Sequence, residues 1–89
     1  MKEYKILRVK GSSSVKNLAG CIVSCFEKGE NVELRGMGAS AINQLFKSSA
    51  VARSILSAKG TDIAVIPGFG EIEENGEKRT IMIGRIMQM

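Results

Sequence analysis

Between Tyr4 and Lys10 the chain alternates, with Leu7 and Val9 on one side and Arg8 and Lys10 on the other. That two-residue period is the mark of a half-exposed strand. Gly11 and the run Ser12-Ser13-Ser14 break it and offer a helix N-cap. Val15, Leu18, Ala19, Ile22 and Phe26 then recur at helical spacing until Gly29, which predicts a first helix over 14–28. Asn31 to Arg35 alternates again, with Val32 and Leu34 inward and Glu33 and Arg35 outward, as a second strand does. A tight turn, Gly36-Met37-Gly38, leads into a second helix over 39–58, whose inner positions are Ile42, Leu45, Ser49, Ala52 and Leu56. Asp62 to Phe69 reads as a third strand, its run Ile63-Ala64-Val65-Ile66 buried on both faces and Pro67 marking a strand end or an edge. Asn75-Gly76 is a hairpin signal, and Arg79 to Met87 forms the fourth strand, with Gly84 as a bulge candidate. The order β-α-β-α-β-β predicts an α+β fold, a two-layer sandwich with two helices on one face of a four-stranded mixed sheet.

Size narrows this further. Eighty-nine residues make one domain, 1–89, and a chain this short buries a modest fraction of its surface, so self-association as a dimer would help stabilise it. A composition of 44% hydrophobic and 25% charged residues argues against disorder. No apolar run approaches the roughly 20 residues that span a bilayer. The charged start, Met1 to Lys5, has no apolar core behind it, so no signal peptide is read and a cytoplasmic location is expected. Cys21 and Cys25 lie four apart on one helical face and read as buried, reduced cysteines. With no histidine and no third cysteine, a zinc site would need carboxylates or a second subunit, and neither metal nor cofactor is expected.

Charge distribution changes the picture more than the net value of +4. Glu71, Glu73, Glu74 and Glu77 crowd into one stretch, and outside it thirteen basic residues face five acidic ones. A basic body with one acidic loop suits an anionic partner. Catalysis is not expected. Without histidine, serine and cysteine lack their usual base, and helix capping accounts for the serines at 12–14. The four glutamates sit in a polar hairpin where burial has little purchase on a carboxyl pKa.

The segment Arg35-Gly36-Met37-Gly38-Ala39-Ser40-Ala41 is the most informative in the chain. It leaves a strand and opens a helix, so the first-turn N–H groups are available to an anion, and glycine at 36 and 38 lets a phosphate approach the backbone. The pattern also fits G-x-G-x-x-A, a dinucleotide fingerprint. Against that stand the lack of a second mononucleotide-binding half and a third strand ending in Pro67-Gly68-Phe69-Gly70 rather than in a ribose-binding acid. A tight turn alone and contact with polynucleotide phosphate both remain open.

The run from Arg35 to Gln44, continued by Ala50-Val51-Ala52-Arg53, resembles the strand-turn-helix signature of the Alba-like nucleic-acid-binding fold. More closely, the chain resembles the stage V sporulation protein S family of bacteria. The likeness lies in Val9-Lys10-Gly11-Ser12-Ser13, Leu18-Ala19-Gly20, Gly36-Met37-Gly38-Ala39 with Ile42-Asn43-Gln44, Ala50-Val51-Ala52-Arg53, Gly60-Thr61-Asp62-Ile63, Ile66-Pro67-Gly68-Phe69 and Gly76-Glu77-Lys78-Arg79-Thr80. It covers about residues 5 to 87, in order and at matching separations. The resemblance implies an Alba-like domain, usually dimeric and without enzymatic activity, with a regulatory role in sporulation or a related developmental programme. By analogy with Alba proteins, nucleic acid would meet Arg35, Gly36, Met37 and Gly38 together with Lys16 and Asn17. Two departures stand out. The hairpin reads as short and acidic where Alba proteins carry a long basic one, so groove insertion by it is not expected. The paired lysine at the start of the first helix is reduced to Lys16.

Further candidates come from the residues. Lys10 and Lys16 flank the serine turn and would clamp phosphate with the Ser13 and Ser14 hydroxyls, unless those only cap a helix. Arg35 is the foremost contact, its alternative being an ion pair with neighbouring strands. Lys47, on the outer face of the second helix, completes the set, its alternative being plain surface. Arg53 reads as a structural or interface arginine. One tyrosine and three phenylalanines leave few stacking platforms, so binding to DNA or RNA would be through phosphates and salt-sensitive. The rival readings are a protein-interaction adaptor engaged through the acidic hairpin or an exposed sheet edge, and a small nucleotide or anion binder at the Gly36–Gly38 turn.

Overall fold

The computed structural model describes residues 3–89; Met1 and Lys2, part of the charged start, lie outside the described residues. Six elements follow in the expected order: β1 (Tyr4–Val9), α1 (Val15–Glu27), β2 (Asn31–Gly36), α2 (Ala39–Ala58), β3 (Ile63–Glu74) and β4 (Glu77–Gln88). The sheet runs β1-β2-β4-β3, with β1 parallel to β2 and the other pairs antiparallel. The parallel pair needs a crossover, and α1 supplies it.

Local chemistry sets the helix ends. Ser14 caps α1, its hydroxyl accepting from the Asn17 amide at 3.2 Å. Gly29, at φ +78°, closes α1, while the Glu30 amide donates back to the Cys25 carbonyl. The apolar stripe of α1 (Leu18, Ala19, Ile22, Val23) meets Val32 and Leu34 of β2 and Leu45, Ala52 and Leu56 of α2 in one core. Small side chains let α2 lie close. Ser48 and Ser49 are buried there, and each hydroxyl donates to the Leu45 carbonyl, which leaves no unpaired polar side-chain atom in the core of the described residues.

Several expectations need correction. Glu33 does not face solvent but is 2% exposed. Cys21 is exposed and only Cys25 is buried, burial raising the latter's thiol pKa with help from nearby Glu30. Ile42 is half-buried rather than core. The run 63–66 is not buried on both faces, because β3 is an edge strand; Ile63 is covered and Ile66 is half exposed. Of the two alternatives for Pro67 the edge holds: it does not end β3 but sits within that edge strand. Gly84 is no bulge: pairing with β3 and β2 runs through it without a break. A Cβ there would lie 2.9 Å from Val65 Cγ1 and 3.2 Å from Leu45 Cδ2, so the glycine makes room for α2 over the sheet. The hairpin is not short either. β3 and β4 pair from Ile63↔Gln88 to Glu74↔Glu77, whereas β2 reaches along β4 only to Met82. Beyond that point the two strands run on as a ribbon, the arm, which turns at Asn75 (φ +53°) and Gly76 (φ +78°).

Candidate nucleic-acid interface

Two turns meet at one end of the sheet. The β1–α1 turn is tied by the Ser13 amide donating to the Lys10 carbonyl at 3.0 Å and by the Lys10 amide donating to Ser13 Oγ at 2.8 Å. The Ser13 hydroxyl therefore serves the turn, and Ser14 is the helix cap. Across from it lies the β2–α2 turn. A Cβ on Gly11 would come within 2.7 Å of Ser40 Cβ, and Gln44 Nε2 donates to the Ser13 carbonyl at 2.9 Å, so the first turn packs on the start of α2. Gly38 takes φ +88° and ψ 161°, a conformation open almost only to glycine, and caps α2 without any side-chain hydrogen bond. The first amides of α2 therefore have no side-chain acceptor at their cap.

Arg8 and Arg35 are register partners in the parallel pair and share the sheet face that no helix covers. Arg35 Nε donates to Glu33 Oε2 at 2.6 Å, and Arg85 Nε from β4 donates to Glu33 Oε1 at 2.9 Å. The ion pair that is the alternative for Arg35 thus exists, within its own strand rather than with a neighbour. One carboxylate is shared by two guanidiniums, so the group stays net positive. Burial alone would raise the Glu33 pKa, but hydrogen bonds from Arg35 and Arg85 outweigh it and hold the carboxyl below its ordinary value. Arg85 also lies over the Tyr4 ring, 4.4 Å from its centroid.

A cavity of about 460 Å³ opens at this end of the sheet. Lys10, Arg35, Gly36 and Met37, four of the candidates named from the sequence, line it, and Arg35 keeps 36% of its side-chain surface exposed. Gly38, Ser13, Lys16, Asn17 and Lys47 do not line it; Lys16, Asn17, Gly38 and Lys47 are exposed nearby in sequence to the two turns or along α2. Sequence reasoning missed Arg8 and the arm residues Ile72, Glu73 and Glu74, which line the same cavity. The alternation in β1 puts Arg8 and Lys10 on one side, which is the signal that could have found Arg8. Nothing local shows that the arm comes back to them.

Other large apolar side chains stand exposed on α2 and on the edge strand β3. Phe46 on α2 is 63% exposed, and Ile66 and Phe69 on β3 are 50% and 79% exposed. Arg53 binds Asp62 through two hydrogen bonds of 2.7 and 3.1 Å, which ties α2 to the start of β3 and gives this arginine its structural role. No helix among the described residues is long and apolar enough to cross a membrane.

Residues 5–89 match the family model of stage V sporulation protein S. Among solved structures, Alba from Thermoplasma volcanium superposes with a TM-score of 0.59, over 92% of this chain and 95% of that one, at 13% identity. At that identity the likeness speaks for the fold, and it agrees with two helices on a four-stranded mixed sheet in the order β-α-β-α-β-β.

Proposed function

The chain belongs to the stage V sporulation protein S family, and from that membership we propose that this sporulation-related regulatory protein acts by binding the phosphate backbone of DNA or RNA, as a cytoplasmic homodimer without catalytic activity. The observation that carries the reading is the clustering of Arg8, Lys10 and Arg35 around one cavity beside Gly36 and Met37. Arg8 and Lys10 enter no ion pair among the described residues, so their charge is available to an anion. Lys16 stands exposed on the first turn of α1, just after the turn that carries Lys10, while the acidic residues of the arm are partly matched by Lys78 and Arg79. Serine hydroxyls take a lesser part than the sequence alone implied, because Ser13 is engaged by its own turn.

Titration of labelled duplex and single-stranded oligonucleotides at two salt concentrations tests this. Affinity falls steeply with salt, because each neutralised phosphate releases a counterion. Arg8→Ala with Lys10→Ala weakens binding to every sequence alike and lowers the log–log salt slope by about 2. Lys16→Ala with Arg35→Ala weakens it further. Absence of binding at low salt would overturn the reading in favour of a protein adaptor.

The dimer is supported by the β3 edge. A long edge strand with free backbone groups and an exposed phenylalanine, Phe69, is a surface that natural folds keep covered, and a second copy of this chain would cover it. The small size of the core adds a reason for such cover.

A further inference from the structure

The acidic arm is what phosphate binding leaves unexplained, since carboxylates repel a polyanion. Its position is informative. Ile72, Glu73 and Glu74 of the arm line the same cavity as Arg8, Lys10 and Arg35 of β1 and β2. Opposite charges thus face one cleft, yet among the described residues no ion pair spans it. Glu74 pairs with Arg79 of the arm at 3.6 Å, Arg35 pairs with Glu33 of its own strand, and Glu73, Arg8 and Lys10 pair with nothing among the described residues. Its own charges do not close the cleft. Its interior is apolar where Ile72 and the buried Ile81 line it. A volume of about 460 Å³ lies within the range of small-molecule sites and is far too small for a duplex.

Such a cleft suits a ligand that is anionic at one end, apolar and flat in the middle, and a hydrogen-bond donor at the other. Resting on the nucleic-acid reading above, we propose that the cleft seats one unpaired nucleotide whose base carries an exocyclic amino group. Its phosphate meets Arg8 and Lys10, its ring lies against Ile72 and Ile81, and its amine donates to the carboxylate of Glu74, which shares a face of β3 with Ile72. Cytosine, adenine and guanine offer that amine; unpaired thymine and uracil lack it, and their one edge donor, N3–H, is flanked by two carbonyl oxygens that a carboxylate repels. The arm's negative charge then selects among bases instead of opposing binding, and single strands are preferred because a duplex cannot enter. The same chemistry is met by a free nucleotide and by a nucleotide within a strand.

The test uses twelve-residue oligo(dC), oligo(dA) and oligo(dT) at neutral pH, alongside free CMP and UMP, with the full chain and its Glu73→Gln/Glu74→Gln variant. Both glutamates are exposed, so the variant is expected to fold. Oligo(dC) and oligo(dA) bind at least about tenfold tighter than oligo(dT). The variant loses that preference, because a glutamine amide both donates and accepts. Equal, salt-sensitive affinity for all three strands overturns the cleft proposal and leaves phosphate binding standing. So does a variant that binds every strand tighter with the preference intact, which would make the arm a simple repulsive element. If no oligonucleotide binds, the phosphate reading fails, and the free nucleotides decide: binding of CMP but not UMP supports the cleft as a nucleotide site, and binding of neither overturns it.

Discussion

Glu33 is the one acidic side chain buried among the described residues, and both its oxygens accept from arginine. Its folded pKa is depressed, so its contribution to stability is fully present above the unfolded value of about 4.3 and is lost as pH falls through the lower, folded value. Acid unfolding followed by circular dichroism should therefore lose part of its steepness in Glu33→Gln, whose side chain does not titrate. A wild-type curve unchanged by that substitution would remove Glu33 from the acid transition. Glycines divide by what surrounds them. Gly84→Ala would push a methyl group into Val65 and Leu45, and a loss of about 1–3 kcal/mol is expected in chemical denaturation. Gly20 lies exposed inside α1, and a Cβ added there would meet nothing within 4 Å. Gly20→Ala should accordingly stabilise the fold by about 0.5–1 kcal/mol through helix propensity.

Among the elements, β2 and the arm stand at opposite ends of stability. β2 is paired on both sides, and Val32, Leu34 and Glu33 are all buried. The arm past Met82 is a two-stranded ribbon with exposed side chains at nearly every position from Glu71 to Thr80. Isolated hairpins are marginal in water. Native-state hydrogen exchange should find the paired amides of the arm opening first and those of β2 last, close to the global unfolding free energy. The arm was only half legible in the sequence. Asn75-Gly76 marked its turn, but Pro67 fitted a strand end as well as an edge and the glycines at 68 and 70 favoured an end, because a local window does not show which strand lies at the sheet edge.

For the assembled molecule, the exposed β3 edge makes a definite demand. Sedimentation equilibrium should show a dimer that dissociates in Phe69→Glu, a change on an exposed side chain of β3 that leaves the monomer folded. A wild-type chain that stays monomeric at high concentration would remove the dimer. The element order, the two helices and most of the core were readable because periodicity reports burial directly: Leu18, Ile22, Val32, Leu34, Leu45, Ala52 and Leu56 lie where their spacing puts them. The candidate site was readable only in part. Lys10, Arg35, Gly36 and Met37 come together, whereas Arg8 joins them through the β1–β2 register and Glu73 and Glu74 through the arm.

Patterns of side-chain period, capping serines and turn glycines were enough to specify six elements and one covered sheet face, since each depends on neighbours within a turn or a strand. Strand order, the long arm, the burial of Glu33 and the mixed-charge cleft depend on residues tens of positions apart. Arg85 reaches Glu33 and the arm returns to β1 only once β4 has inserted between β2 and β3. Such pairings are won by the packing of the whole chain, where burial and charge compensation are settled together, and no local window contains them.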